Sequence, residues 1–367
     1  MWRICRRGAS GKDALIWRAE FISASLGLQR RCRCGISGGW MMRELLNVSD
    51  YPCDTDIVLG GDPTRLRHLL EEFGFSGIEL MLTGAGREEF FSEFDICGVH
   101  LRFWPNWLDF WWGREEELVR EFGDRETVAA VFGASREEWL SRWRENIRAA
   151  AACGARYVVL HVANARSWEL YNRRFAYGAA TVIDATADLV NAFADALPEE
   201  CLLLYENLWW PGLTLTEPML AARLLEATRH ERTGFLLDTG HMMNTELRLA
   251  DEAQAAAYIL RCVKNLGALR ERIFAMHLHC SLSGAFVRRM MAQKQKERPQ
   301  ALTVEESYRY VSQVDWHRPF ATSAARRIAE AVEPEFLVHE FLYESFAVWY
   351  DKVRQQKKSF GGGDAAV

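Results

Sequence analysis

The chain has 367 residues, 49% hydrophobic and 26% charged, with a formal net charge of −5. That is an ordinary composition for a soluble globular protein, long enough for one large barrel or two medium domains. No apolar run approaches the ~18 residues of a membrane helix, and the mildly acidic balance gives no global attraction to nucleic acid or anionic lipid.

Residues 1–41 differ from the rest of the chain. They are rich in Arg, contain Cys32-Arg33-Cys34 and show no sustained periodicity. Asp13, Glu20 and the lack of an amphipathic face argue against a transit peptide. The expectation is an extension outside the folded unit, with one domain over 42–360 and a disordered tail over 361–367. Nine cysteines are scattered without a CxxC pair, and Cys97, Cys201, Cys262 and Cys280 fall in apolar runs. That usage suits reduced thiols in a cytoplasmic protein.

From Asp56 onward, short apolar runs alternate with helical patterns. The runs are DIVLGG (56–61), GIELML (77–82), GVHLRF (98–103), RYVVLHVA (156–163), CLLLYENL (201–208), GFLLDTG (234–240), IFAMHLHC (273–280) and EFLVHEFL (335–342). Their near-continuous apolarity suits parallel strands covered on both faces. The segments between them carry helix punctuation. DPTRLRHLLEEFG, for example, offers Asp62 as an N-cap, Pro63 in the first turn and Gly74 as a stop. Eight such repeats over some 300 residues predict a single-domain (β/α)8 TIM barrel. A doubly wound sheet is disfavoured, because no Gly-rich phosphate loop comes after the first run.

Two connections are too long for plain loops. One leaves the third strand, from Trp104 to about Ser135, and carries Trp104, Trp107, Trp111 and Trp112. The other leaves the seventh, from Ser281 to about Pro319, and is basic, with Arg288, Arg289, Lys294, Lys296 and Arg298. Both depart from the C-terminal barrel face, where active sites are built, so both are expected to wall or cover a site.

Polar residues mark the same strand ends: Glu79, His100, His161, Glu206, Asp238, His277 and Glu340, with His241 and His279 just beyond and Asp315 and His317 later in the seventh loop. Six of the nine histidines fall in this set; only His68, His230 and His339 do not. Carboxylates and imidazoles converging in an apolar funnel make a ligand set for a divalent cation such as Zn2+ or Mn2+.

On YENLWW (Glu206), LLDTGH (Asp238, His241), MHLHCS (His277) and LVHEF (Glu340), the chain from Met42 to Phe360 resembles the xylose-isomerase-like TIM-barrel superfamily. That superfamily includes sugar and sugar-phosphate isomerases and epimerases, and the abasic-site (AP) endonucleases of family 2. The epimerase resemblance implies one metal held by Glu206, Asp238, His277 and Glu340. The endonuclease resemblance implies a three-zinc cluster that adds His100, His161, His241 and, from VDWHRPF, Asp315 and His317. The long spacer 281–314 departs from the endonuclease pattern, which weighs against a third ion and against DNA.

Two chemistries are implied. In the first, a metal-dependent isomerase or epimerase acts on a small sugar or sugar phosphate, with Glu206 and Glu340 moving a proton through an enediolate. In the second, a zinc cluster cleaves a phosphodiester. Glu79, Arg102 and His279 are expected to face substrate, and Trp104 and Trp209 to stack on it. One to three ions, a carbohydrate substrate and a monomer or homodimer complete the expectation; nucleic acid is the less favoured ligand.

Overall fold

Along the fifth strand, Leu202 and Leu204 face the barrel interior while Leu203 and Tyr205 face the surrounding helices. The same alternation, interrupted by irregular pairing where β2 meets β3 and where β6 meets β7, runs round the barrel and yields two cores. A plug of Leu45, Cys97, Tyr157, Val159, Leu202, Leu204, Leu236, Ala275, Phe336 and Val338 fills the interior, and a larger apolar layer lies between strands and helices. In this computed structural model, which describes residues 42–294 and 300–360, the eight strands close into a parallel barrel in sequence order. They are β1 (Arg43–Ser49), β2 (Gly77–Met81), β3 (Ile96–His100), β4 (Tyr157–His161), β5 (Leu202–Glu206), β6 (Thr233–Asp238), β7 (Ile273–Leu278) and β8 (Phe336–His339). The expected extension and tail, with Lys296 and Arg298, lie outside the described residues.

The first strand corrects the sequence reading. DIVLGG is not a strand: Cys53–Val58 forms a π-helical turn, Ile57 is exposed, and Gly60 and Gly61 turn the chain at φ +70° and +72°. The strand is RELLNVS, seven to thirteen residues earlier. Its Asn47 and Ser49 interrupt the apolar run because they face the interior, where Asn47 donates to Glu79 (3.1 Å) and Ser49 to Asp54 (2.5 Å).

The helices are α1 (Pro63–Phe73), α2 (Leu108–Trp111), α3 (Glu115–Phe122), α4 (Arg125–Phe132), α5 (Arg136–Ala152), α6 (Ala179–Phe193), α7 (Pro218–Ala227), α8 (Thr239–Met243), α9 (Glu252–Asn265), α10 (Gly284–Lys294), α11 (Val304–Val314), α12 (Ala324–Val332) and α13 (Phe346–Phe360). The expected punctuation of α1 is present: the Asp62 carboxylate accepts from Thr64 N–H, and Gly74 ends the helix left-handed. Among the described residues no helix is long and apolar enough to cross a membrane. Cys97, Cys201, Cys262 and Cys280 are buried free thiols.

The long connections become helical insertions, α2–α4 after β3 and α10–α11 after β7. In the first, tryptophans pack on one another rather than on the barrel mouth. Trp139 is surrounded by Trp104, Trp107, Trp111 and Trp143, with ring centroids 5.6 to 6.1 Å away. Deeper in the barrel, Gly98 is required for space: a Cβ there would lie 2.1 Å from the Tyr157 ring.

Candidate metal centre

Strand phase decides which polar groups meet. His161 continues the inward line of Tyr157 and Val159, Glu206 that of Leu204, Asp238 that of Leu236, His277 that of Ala275, and Glu340 that of Val338, all at period two. His339, out of phase, points outward and bonds Glu44 (3.0 Å).

Glu206 sits at the middle of the constellation. Its Oε2 is 3.0 Å from His100 Nε2 and 3.2 Å from His161 Nε2, and its Oε1 is 3.2 Å from His241 Nδ1 and 3.4 Å from His277 Nδ1. Glu340 Oε2 lies 3.0 Å from His277 Nδ1. Asp238 uses Oδ1 to accept from the His241 backbone (2.6 Å), which starts α8, and Oδ2 approaches His279 Nε2 (2.8 Å). Asp315 Oδ2 lies 3.2 Å from His241 Nε2 and 2.5 Å from His317 Nε2, and the His279 and His317 rings stack at 3.8 Å.

Outer contacts fix the imidazoles. His100 Nδ1–H donates to Leu101 O and His241 Nδ1–H to Asn207 O, both at 2.9 Å. His277 Nε2–H donates to Glu79 (2.9 Å), so its Nδ1 is the atom turned towards Glu206, Asp238 and Glu340. A carboxylate behind an imidazole is the usual way to orient a metal-binding ring.

Burial alone would raise the carboxyls of Glu206, Asp315 and Glu340, but the neighbouring imidazoles outweigh it and hold all three well below the ordinary range. Burial also opposes charge on His241 and His277, yet their carboxylate neighbours hold both well above the ordinary imidazole value. His161 is driven by burial down to about 3, a neutral ring. Protons thus share the space among the carboxylates of the protein alone.

The donor set fits divalent cations. His161 Nδ1, His277 Nδ1, His317 Nδ1 and Glu340 Oε2 are buried without a hydrogen-bond partner, which is costly unless something else satisfies them. Donor atoms converge within 4.8 Å in four groups: His100, His161 and Glu206; Glu206, Asp238 and His277; Asp238, His279 and Glu340; and His241, His279, Asp315 and His317.

All nine residues expected as ligands therefore meet in one place, and His279 joins them. Instead of facing substrate, His279 is fully buried against Asp238. Three further expectations are corrected. Glu79 lies beneath the site, fully buried and occupied by Asn47, Tyr157 and His277. Arg102 lies over the Trp104 ring at 4.8 Å. Trp104 is sealed in the tryptophan cluster, its indole donating to Val131 O. Trp209 does line the cleft above the site, beside Phe103, Trp210 and, from α11, Tyr308 and Val311. Of these walls, Trp209 is legible in the sequence, whereas Tyr308 and Val311 leave no signal there.

The model of the xylose isomerase-like TIM barrel family matches residues 67–293, well over half of the chain. This chain belongs to that family. No curated protein matches its sequence. Solved structures of similar fold include the IolI protein with a bound zinc atom (15% identity, covering 87% of this chain and 96% of that one, TM-score 0.47). Endonuclease IV from Thermus thermophilus is similar at 14% identity, 87% and 99% coverage and TM-score 0.46. A D-tagatose 3-epimerase-like protein is similar at 13% identity, 89% and 100% coverage and TM-score 0.47. At such distances the likeness extends to the barrel alone.

Proposed function

We propose that this xylose isomerase-like barrel is a multinuclear metal enzyme that hydrolyses a phosphate ester. One observation carries the reading: Glu206 has no free oxygen. Its Oε2 faces His100 and His161 while its Oε1 faces His241 and His277, the disposition of a carboxylate shared between neighbouring cations. His100, His161 and Glu206 would hold one ion; Glu206, Asp238 and His277 a second, with Glu340 Oε2 beside His277 Nδ1; His241, His279, Asp315 and His317 a third. When bound, such ions supply an activated water and offset charge on the attacking and leaving oxygens. The chain's own part is preparatory. Glu79, Leu101 and Asn207 orient three imidazoles.

The isomerase reading, with Glu206 and Glu340 passing a proton, keeps one supporting observation: Glu340 Oε2 is buried without a hydrogen-bond partner. Elemental analysis of protein purified without chelator separates the two. Two or more zinc ions per chain, with hydrolysis of bis(p-nitrophenyl) phosphate, is the expected result. One ion per chain, with solvent deuterium entering a sugar C–H bond, would instead establish the isomerase.

A further inference from the structure

The cleft above the metal residues has a floor and walls of opposite character. His161, His241, Asp315 and His317 form the floor. Phe103, Trp209, Trp210, Val311 and Leu342 form most of the wall, and the only polar side chains added to them are Tyr308 and Ser312. Among the described residues, no Lys, Arg, Asn or Gln reaches the cleft. The aromatic rings descend to the floor itself: Phe103 lies 4.5 Å from the His161 ring and Trp209 5.1 Å from that of His241.

The α10–α11 insertion supplies one wall and is latched in place. Asn244 donates to Val314 O (3.3 Å) and accepts from Ser283 (2.8 Å), Leu302 N–H donates to Ser167 (2.9 Å), and Tyr310 packs edge-on against Tyr171 at 4.5 Å. It is therefore a standing wall of the site.

This lining is a poor match for both ligands that the strand-end motifs suggest. Above the floor, a sugar's hydroxyls would find only the Tyr308 and Ser312 hydroxyls and the indole N–H groups of Trp209 and Trp210 among the described lining, and each unpaired buried hydroxyl costs affinity. A nucleic-acid strand needs cations along its phosphates, and the described residues that line the cleft present none. Resting on the multinuclear reading above, we infer that the substrate is a small molecule with a flat apolar or aromatic body and a single anionic head. The head meets the floor, and the body lies between Trp209 and Val311. An aryl or other hydrophobic phosphate ester is the class that fits.

Calorimetric titration of the metal-loaded full chain with three hydroxamates tests this, since the hydroxamate head seeks metal and the body varies. Benzohydroxamate is expected to bind about tenfold or more tighter than acetohydroxamate or gluconohydroxamate. Val311→Asp and, separately, Trp209→Ala should erase that preference while zinc content stays unchanged. Equal affinities, a preference for the gluconic body, or no binding of any of the three would overturn the inference. Zinc content of the same preparation reports on the multinuclear reading independently. Metal-replete protein without aryl preference defeats only the substrate class, whereas metal-free protein defeats the reading beneath it.

Discussion

Glu79 shows what one residue contributes without touching a reactant. It accepts from Asn47 (3.1 Å) and Tyr157 (2.9 Å) and takes the Nε2 proton of His277 (2.9 Å). Glu79→Gln preserves shape but offers a donor where an acceptor is needed. It is expected to weaken zinc binding by roughly 10–100-fold, read by competition with a calibrated chelator, with the melting profile of the metal-free protein little changed. Unaltered affinity would show that His277 needs no such partner. Strand phase alone makes Glu79 inward-facing, so its polarity in the sequence suggests a substrate group. Depth is a different matter. Glu79 pairs with Gly98, and Gly98 with Tyr157, which places it a full layer below His100. That layer depends on inter-strand register, which no single run reveals. His279 departs from its sequence reading for a related reason. Two residues past His277 it shares the inward direction, but how far α8 and the β7 loop bury it is a matter of packing.

At the scale of elements, the strands after the first are legible because each is a short apolar run, and all but β2 carry a charged or imidazole side chain at or next to the end. β1 is not, since its interior positions are Asn47 and Ser49 rather than aliphatic. The helices obey their caps, whereas nothing local dictates the path of the two insertions: α11 reaches the cleft only through latches at Asn244 and Ser167. On the outer face, where β1, β8 and α13 meet, Glu44 receives His339 (3.0 Å) and Lys357 (2.8 Å). Burial would raise the Glu44 carboxyl, but these partners outweigh it and bring it from 4.5 to about 2. Burial keeps the His339 imidazole below its usual range, so it serves as a neutral donor. A carboxyl with a depressed folded-state pKa stabilises fully above its unfolded value. That contribution fades as pH falls from 4.5 towards 2. Glu44→Gln should therefore cost stability at pH 6, by up to about 3 kcal/mol. The gap from wild type should close by about pH 2, as measured by urea unfolding at several pH values. A gap independent of pH would mean that the ion pair contributes nothing.

Over the whole molecule, the barrel gathers four carboxylates and six imidazoles into its upper interior, each less than a tenth exposed. Isolated, such groups would oppose folding; bound cations reverse that balance, because only the folded chain presents the donors together. Saturating zinc at a thousand times its dissociation constant adds about 4 kcal/mol. Stripping with EDTA is accordingly expected to lower the melting temperature by several degrees and zinc to restore it, measured by scanning calorimetry. An unchanged temperature would mean that hydrogen bonding alone holds these groups. The order of polar strand ends is sufficient to read the fold and to name nine of the ten residues that gather here. It cannot say that the cleft above them is apolar, because that wall is assembled from segments more than 200 residues apart.

The latched α10–α11 wall also bears on traffic. Glu206 is about 1% exposed, and the described cleft meets solvent over the same His161, His241, Asp315 and His317 side chains that would receive ions. Ions and substrate then share one doorway, and a molecule seated between Trp209 and Val311 corks it. On the multinuclear reading, loading would have an order, ions first and substrate last, and an occupied enzyme would keep its metal longer than an idle one.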